Sequence, residues 1–393
     1  MRSKWERKKL CEIADFNPRE SLSKGAIAKK ISMDKLQPFC RDIPSYEFEA
    51  FSGGTKFRNG DTIMARITPC LENGKTAKVS VLDDNEVGFG STEYIVFRAK
   101  EGMDEDFLYY LVCSSIIREP AIKSMVGSSG RQRVQMDVVQ NLEIQVPPIK
   151  EQRITGKFLR NLDDKIQFNN KINKNLLKQV LTLYHYNFID TKNKSRQTCS
   201  IGNYFDISIG KTPPRKKQQY FSSNPKDITW VSISDMKNYD LYINNSSEKL
   251  TKEAIEHYNI KIVPDNTVLL SFKLTVGRIV ITDGEITTNE AIAHFKTNKK
   301  EINEYLYCYL KYFNYQTMGS TSSIATAVNS KIIKNMPFIV PTDNELKEFH
   351  NMTAPMFAKI KINQIEIDNL TVLRNTLLPK LMSGEIDVSN IDV

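Results

Sequence analysis

The chain repeats its own pattern once, at a distance of 194 residues, and this repeat constrains the fold more than any other feature. Val146-Pro147 returns as Val340-Pro341, and Lys165-Ile166 returns as Lys359-Ile360. Solenoid repeats recur every roughly 20–50 residues, so this period is too long for one of them. The repeat instead indicates a duplicated unit, a globular segment followed by a long helix, and it predicts a pseudo-two-fold internal repeat.

Each copy of the long helix carries an alternating spacing of three and four residues. The spacing runs from Leu159 to Leu183 in the first copy and from Met356 to Leu381 in the second. Such a spacing of mainly apolar side chains is typical of the seam of a coiled coil. We therefore predict two long antiparallel coiled-coil helices.

An asparagine stands at an equivalent place in each seam, Asn169 in the first helix and Asn363 in the second. A polar side chain in a seam lowers stability but fixes the register and orientation of the helices. We therefore assign the coiled-coil register to Asn169 and Asn363. The alternative is that both amides point into solvent.

The globular segments alternate β-rich runs with turns and a helix. Strands are predicted over Asp61–Ile67 and Asn266–Phe272, where β-branched and other apolar residues cluster. A helix is predicted at about 104–118, ending before Pro120, and an equivalent helix at about 301–313. The fold class is therefore α+β, and the chain divides into four parts. These parts are residues 1–146, 147–190, 191–340 and 341–393.

The net charge of +9 is concentrated in the second globular segment. Residues 1–148 carry 22 Lys and Arg against 21 Asp and Glu, whereas residues 191–341 carry 20 against 13. A basic segment suits contact with phosphates, because Lys and Arg release condensed counterions from DNA. An ordinary solvated basic surface explains the charge equally well.

Composition also restricts the compartment. No stretch approaches the roughly 18 consecutive apolar residues of a membrane span, and the first residues do not resemble a signal peptide. The six cysteines are scattered and lack paired spacing, as in proteins whose thiols stay reduced. We therefore expect a cytoplasmic protein without membrane contact and without a bound metal.

The common catalytic motifs are missing from the sequence. It contains neither a G-x-x-x-x-G-K-[ST] phosphate loop nor a G-x-G-x-x-G run after a strand. A nuclease needs clustered acids and a lysine at the end of a hairpin, and Asp61, Glu72 and Lys75 occur in about that order. A turn over Glu72–Lys75 explains these residues better. We therefore expect binding chemistry and no catalytic residue.

Loops at matching places in the two segments are the candidate binding sites. The polar loop Gly127–Arg133 contains two arginines and a glutamine. Arg reads guanine and Gln reads adenine through paired hydrogen bonds, each worth roughly 1–3 kcal/mol of discrimination. The candidates in this loop are Ser128, Ser129, Arg131, Gln132 and Arg133. At the matching place in the second segment, Ser320, Thr321 and Ser322 carry hydroxyls suited to phosphates or base edges.

A second matched pair of candidate loops comprises Thr68–Lys75 and Lys273–Arg278. Its candidate residues are Lys75, Lys273, Thr275 and Arg278. The basic run Arg215–Tyr220 could also follow a phosphate backbone. For each of these residues the alternative is an ordinary hydrophilic surface loop.

Two segments resemble the conserved helices of type I restriction-modification specificity subunits. Pro147–Ile154, followed by Leu162–Ile166, is similar to the central conserved helix of that family. Leu377–Val388 is similar to the end of its C-terminal conserved helix. One departure is that Asn187-Phe188 stands where the family often has Trp-Phe.

The resemblance implies two α/β target recognition domains, residues 1–146 and 191–340, each reading one half of a bipartite, asymmetric target in double-stranded DNA. Residues 147–190 and 341–393 would form the antiparallel helices, which set the spacer and dock two methyltransferase subunits. In that family the partner subunits methylate adenine with S-adenosylmethionine, and restriction or motor subunits use ATP and Mg²⁺ to cut DNA. The chain itself would catalyse nothing and bind none of these cofactors.

Two other functions remain open from the sequence. A coiled-coil scaffold would bind proteins rather than DNA through its globular segments. An enzyme acting alone, such as a nuclease, would cut DNA when supplied with magnesium. Capture of methyltransferase subunits favours the specificity subunit over the scaffold, and a plasmid cleavage assay tests the nuclease.

Overall fold

The computed structural model describes residues 5–128, 130–190, 196–318 and 330–391. These residues belong to two compact units. Unit 1 comprises Met1–Phe168 and Ile367–Val393, and unit 2 comprises Asn169–Glu366. The division falls inside both long helices rather than at their ends, so each unit contains a globular part and half of each helix. The four-part division made from the sequence stays a prediction.

Unit 1 contains short strands and helices that precede the first long helix. Its strands are β1 (Glu6–Lys9), β2 (Ala14–Phe16), β3 (Ile27–Ile31), β4 (Glu47–Ala50), β5 (Thr55–Phe57), β6 (Thr62–Ala65), β7 (Thr76–Lys78), β8 (Gly88–Gly90), β9 (Tyr94–Ala99) and β10 (Glu143–Val146). Its helices are α1 (Leu10–Ile13), α2 (Glu105–Cys113), α3 (Ser115–Lys123), α4 (Met136–Gln140) and the first part of α5 (Ile149–Tyr184).

Two four-stranded sheets form the body of unit 1. One has the order β2-β9-β6-β7 and the other has the order β4-β3-β8-β5, while β1 pairs with β10. Among the described strands of this unit, only β3 and β8 pair in parallel.

The central strands β6 and β9 are buried on both faces, which explains their continuous apolar runs. Successive side chains of a strand point to opposite faces. Ile95 and Phe97 pack in the cluster that contains helix α2, whereas Tyr94 and Val96 pack in a second cluster with Ile31 of the other sheet. The sheet β2-β9-β6-β7 therefore forms a middle layer.

Unit 2 contains the remaining elements. Its strands are β11 (Thr198–Ser200), β12 (Asp206–Ile209), β13 (Phe221–Ser222), β14 (Ile228–Val231), β15 (Tyr242–Ile243), β16 (Glu248–Leu250), β17 (Val268–Ser271), β18 (Ile279–Thr282), β19 (Thr287–Thr288), β20 (Ile292–Lys296) and β21 (Pro337–Ile339). Its α-helices are α6 (Ile201–Tyr204), α7 (Ile233–Met236), α8 (Lys252–Tyr258), α9 (Asn303–Tyr312), α10 (Ser330–Lys334) and the first part of α11 (Asp343–Met382). A π-helix (His185–Ile189) continues α5, and 3-10 helices span Gln218–Tyr220, Lys300–Ile302 and Tyr315–Met318.

Unit 2 follows the plan of unit 1. Its sheets have the orders β12-β20-β17-β18-β15 and β13-β16-β14-β19, and β11 pairs with β21. The pairing of β14 with β19 is parallel, like that of β3 with β8. Leu270 of β17 packs in the cluster of helix α9, and its neighbour Leu269 packs in the cluster of Val231. The order β2-β9-β6-β7 therefore returns as β12-β20-β17-β18, and β4-β3-β8 returns as β16-β14-β19. The units differ in their edge strands, which are β5 in unit 1 and β13 and β15 in unit 2.

The predicted secondary structure is confirmed for the strands and corrected for one helix. Strands β6 and β17 and helix α9 lie where they were expected. The helix predicted at 104–118 is broken at Ser114, whose backbone is extended. The expected end before Pro120 is wrong, because Pro120 lies inside α3. A proline removes one backbone donor from a helix, and a short helix that starts anew at Ser115 tolerates that loss.

Each of the two long helices begins directly after residues that favour the start of a helix. Helix α5 follows Pro147-Pro148, and the Pro148 carbonyl accepts the amide of Glu151. Helix α11 starts after Thr342, whose hydroxyl accepts the Glu345 amide at 3.2 Å. The Glu345 carboxylate accepts the Thr342 amide at 3.0 Å. This reciprocal pair is the capping box expected for the pattern Thr-x-x-Glu.

Within unit 2, the two helices are joined by asparagine side chains. Asn169 Nδ2 donates to Glu366 Oε2 at 2.8 Å, and Asn363 Nδ2 donates to Asn173 Oδ1 at 2.8 Å. The partner numbers fall along α11 as they rise along α5, so the helices run antiparallel here. Asn169 and Asn363 are 1% and 0% exposed, so the alternative of solvent-facing amides is wrong.

Within unit 1, the same helices are joined by an ion pair. Arg374 falls on the predicted seam, and its guanidinium donates to Asp163 Oδ1 at 2.6 Å. Asp163 Oδ2 also accepts the Tyr110 hydroxyl at 2.6 Å. The two charged side chains are only 12% and 6% exposed. The contact between the two helices in unit 1 therefore includes a buried charged pair that apolar periodicity did not predict.

Candidate nucleic-acid interface

The candidate loop Gly127–Arg133 of unit 1 is closed by backbone hydrogen bonds. The Val126 amide donates to the Arg133 carbonyl at 3.1 Å, and the Arg133 amide donates back at 2.9 Å. Gly127 has a φ of +137° and leaves room for the Arg131 carbonyl, which would lie 2.9 Å from a Cβ at position 127. Helix α4 stands between this loop and β10, so the loop does not adjoin that strand directly. Ser129 lies outside the described residues.

The structure brings the two candidate loops of unit 1 together. The Thr68 amide donates to the Gln132 carbonyl at 3.0 Å, and Ile67 forms a β-bridge with Arg133. The loop that follows β6 therefore lies beside the loop Gly127–Arg133. The two candidate loops therefore lie on one surface of unit 1.

The two arginines of the loop Gly127–Arg133 differ in what they contact. Arg133 forms a forked ion pair with Glu93, at 2.7 Å from Nη2 and 3.0 Å from Nε, and its hydrogen bonds lower the pKa of the Glu93 carboxyl. Arg131 is exposed, and its guanidinium makes no hydrogen bond or ion pair with another described residue. Gln132 is half-buried, and within the described residues its side-chain amide likewise makes no hydrogen bond. Arg133 therefore orders the loop, while Arg131 and Gln132 remain available to a ligand.

The side chain of Lys75 is held by a hydrogen bond within the protein. Its Nζ donates to the Met33 carbonyl at 2.8 Å, and the side chain is half-buried. Leu71 of the same loop is fully buried, whereas Glu72 and Asn73 are exposed. Arg118 Nη2 donates to the Glu72 carbonyl at 2.6 Å and holds the loop from outside.

The matching loop of unit 2, between β17 and β18, presents different chemistry. Lys273 and Thr275 are exposed, whereas Arg278 is half-buried and its Nη1 donates to the Ile233 carbonyl at 2.6 Å. Arg278 therefore supports the loop from within. The sequence candidates omitted Leu274, which is 99% exposed between Lys273 and Thr275. The feature of the sequence that could have identified Leu274 is an apolar residue placed between the polar residues Lys273 and Thr275.

The candidates Ser320, Thr321 and Ser322 lie outside the described residues. The basic run Arg215–Tyr220 does not form a row of free cations. Arg215 pairs with Glu248 at 2.7 Å and stacks 4.6 Å from the ring of Trp230.

Two of the three residues considered for a nuclease, Asp61 and Lys75, make structural contacts, and so does the buried His294. Asp61 forms a paired ion contact with Arg98 at one end of β6, and Lys75 lies opposite the other end. His294 lies between the hydroxyls of Ser208 and Thr288, at 3.0 and 2.7 Å, and burial lowers its pKa to about 3.

The described residues contain no group of three or more His, Cys, Asp or Glu residues placed to hold a metal ion. None of the helices in the described ranges is long and apolar enough to cross a membrane.

The family model described as the type I restriction modification DNA specificity domain matches this chain twice. It matches residues 2–178 and residues 193–371. The two matches together span most of the chain, and each contains one copy of the repeated strand order.

Specificity subunits of type I restriction enzymes from other organisms are similar to this chain in sequence. The type I restriction enzyme MjaIX specificity subunit of Methanocaldococcus jannaschii is 25% identical over 315 residues, which are 74% of this chain and 71% of that one. The EcoAI specificity subunit of Escherichia coli is 33% identical over 174 residues, which are 42% of this chain and 29% of that one. The chain thus matches less than a third of the length of the second relative.

A solved structure has a similar fold over nearly the whole chain. The crystal structure of the type I restriction-modification system S subunit from M. genitalium aligns with a TM-score of 0.60. The alignment covers 97% of this chain and 96% of that chain, at 15% sequence identity. At this identity the similarity establishes the two-domain arrangement of mixed helix and sheet.

Proposed function

The chain belongs to the family of type I restriction-modification specificity subunits, and we propose that it selects the DNA sequence on which such a system acts. The globular part of each unit reads one half of a bipartite target in double-stranded DNA. One observation carries this proposal: the two units share most of their strand order, yet equivalent loops present different side chains. A common frame with unlike loops suits a target with unlike halves.

In unit 1, base reading falls to the exposed end of the loop Gly127–Arg133. Arg131 has an unengaged guanidinium among the described residues, and a bidentate Arg recognises guanine O6 and N7 in the major groove. Gln132 is the partner suited to adenine. Because the Glu93 carboxylate fixes Arg133, the loop would meet DNA in one conformation, which limits the entropy lost on binding.

In unit 2, Lys273 and Thr275 are the proposed contacts on the described surface, and Ser320, Thr321 and Ser322 complete the proposal from the sequence. A lysine beside the duplex neutralises phosphate charge, and this term is independent of base sequence. The excess of 20 Lys and Arg over 13 Asp and Glu in residues 191–341 supports such contacts. Base selection in this half would then depend on the hydroxyls and on DNA shape.

The long helices are proposed to act as a coiled-coil ruler and as the docking surface for two methyltransferase subunits. Their antiparallel contacts within each unit, through Asn169, Asn363 and Arg374, fix one register. The partner subunits would supply the chemistry, using S-adenosylmethionine for methylation and ATP with Mg²⁺ where restriction subunits join. This chain is proposed to be non-catalytic and cytoplasmic.

Mapping of methylated adenines in cells with and without this gene tests the proposal. We expect one bipartite motif to disappear with the gene and to return on complementation. Insertion of seven residues into α5, with seven added to α11 at the paired level, should lengthen the spacer and leave both half-sites unchanged. Unaltered methylation in every strain, with methyltransferase subunits still captured by the chain, would favour the protein-binding scaffold.

A further inference from the structure

The hairpin loop between β17 and β18 places an apolar side chain where water surrounds it completely. Leu274 is 99% exposed, the highest exposure among the described large apolar residues. Its backbone φ is +58°, a region that a leucine seldom adopts. The Thr275 amide donates to the Lys273 carbonyl at 2.6 Å across it, which is the pattern of a γ-turn with positive φ. Two unfavourable features therefore coincide on one residue.

The surrounding loop holds this conformation in place. The Ser271 hydroxyl donates to the Thr275 carbonyl at 2.6 Å and accepts the Arg278 amide at 3.0 Å. The Gly277 amide donates to the Ser271 carbonyl at 3.0 Å. Backbone strain persists where the surroundings over-determine it, and such places often have a function.

Positive charge lies beside the exposed leucine. Lys273 precedes it in the chain and is itself exposed. Burial tends to raise the pKa of Glu290, but the hydrogen bond from Thr212 and the charges of Lys273 and Arg215 lower it. Lys273 and Arg215 therefore both act electrostatically on this carboxylate. A negatively charged polymer that contacts Leu274 would meet Lys273, the adjacent exposed residue.

The equivalent loop of unit 1 lacks this feature. It contains one leucine, Leu71, which is fully buried in the core cluster of its unit. The exposed leucine is therefore not a requirement of the shared strand order. It is a property of the loop in unit 2.

We propose that Leu274 is a wedge that enters the base stack of duplex DNA in the half-site contacted by unit 2. This inference rests on the proposed function, in which unit 2 binds DNA. Apolar side chains that enter between base steps unstack them and kink the duplex. Pyrimidine–purine steps unstack most readily, so the wedge would favour such a step without a hydrogen bond to any base. Lys273 would hold the adjacent phosphate.

The test uses duplexes selected from a random-sequence library by the full-length chain, alone and with its co-purified partner subunits. 2-Aminopurine is placed at successive positions, because its fluorescence rises when it is unstacked. We expect a rise at one step in a single half-site. Leu274→Ala should abolish the rise and weaken binding by on the order of 10-fold, while Leu274→Met should retain both.

Lys273→Ala is the matched comparison. Lys273→Ala should weaken binding and reduce its salt dependence, with the fluorescence rise unchanged at saturation. A second measurement separates folding from function: Leu274→Gly removes the strained φ and should raise the melting temperature of unit 2 by roughly 2–4 °C, while abolishing the rise.

Other results would overturn the wedge. If sequence-selective binding persists without any fluorescence rise, and Leu274→Ala binds normally, the wedge is wrong and the proposed function stands. If the chain and its assemblies select no sequence from the library, the proposed function itself fails. If Leu274→Ala instead releases a partner subunit and leaves the DNA signal intact, the residue is a protein contact.

Discussion

The loop after β6 in unit 1 and the loop after β17 in unit 2 connect equivalent pairs of antiparallel strands, yet they differ in what they expose. Leu71 of the first loop is fully buried, whereas Leu274 of the second is 99% exposed. The first loop is held from outside by Arg118, and the second is held by Ser271 within the hairpin. The equivalent strands therefore determine where each loop begins and ends. The contacts that hold each loop determine which side chains it exposes.

The same contrast extends to the long helices. In unit 1 they are joined by the charged pair of Arg374 and Asp163, and in unit 2 by the amides of Asn169 and Asn363. A buried charge depends on its partner more strongly than an amide does. The two units should therefore respond differently to the loss of one interhelical contact.

The largest expected effect is the loss of Asp163 in unit 1. Asp163→Ala leaves the buried Arg374 guanidinium and the Tyr110 hydroxyl without their carboxylate, which should destabilise unit 1 by about 3–5 kcal/mol. Asp164→Ala is the matched control, because that side chain is 50% exposed and its partner Arg41 keeps its contact with Asp42 at 3.0 Å. Its loss should cost under about 1 kcal/mol.

The two tryptophans allow this effect to be assigned to a unit. Trp5 belongs to unit 1 and Trp230 belongs to unit 2. Urea unfolding followed by fluorescence in a Trp230→Phe background therefore reports on unit 1. Equal costs for Asp163→Ala and Asp164→Ala would show that the ion pair contributes no more than a surface contact.

The second effect compares the two leucines directly. Leu71→Ala removes a fully buried side chain and should destabilise unit 1 by about 2–5 kcal/mol. Leu274→Ala removes an exposed side chain and should change the stability of unit 2 by less than about 0.5 kcal/mol. Urea unfolding in the two single-tryptophan backgrounds measures both. A loss of more than 2 kcal/mol on Leu274→Ala would mean that the loop packs against the unit in solution.

The alternating spacing of three and four residues predicted the long helices, because this pattern depends only on residues that are close together in the sequence. It could not predict that position 374 holds a buried charge, since the partner Asp163 lies 211 residues away. Strand positions followed from apolar runs such as that of β6. The candidate loops were chosen from the repeat, but the sequence did not show which of their side chains are exposed. Arg131 and Arg133 look alike in sequence, and only Glu93, 40 residues from Arg133, distinguishes them.

The third effect concerns those two arginines. Arg131→Ala should cost about 1–3 kcal/mol at one base position in the half-site read by unit 1, and it should relax the choice of base there. Arg133→Ala should instead loosen the loop and weaken that half-site at several positions. Binding to a panel of single-base variants of the selected duplex measures both. A uniform loss on all sequences for Arg131→Ala would identify a phosphate contact.

The last effect is the loss of stability in acid that Glu345 contributes to unit 2. Burial tends to raise the pKa of Glu345, but hydrogen bonds from the Thr342 amide and the Arg196 guanidinium lower it to about 2, against 4.5 for an ordinary glutamate. A carboxyl whose folded pKa is depressed stabilises the fold above its unfolded pKa, and that contribution is lost as the pH falls through the folded value. Unit 2 should therefore lose stability between about pH 4.5 and pH 2. Urea unfolding of the Trp5→Phe variant across this window measures the loss, and Glu345→Gln should flatten it. An identical acid slope in Glu345→Gln would place the dependence on other carboxylates.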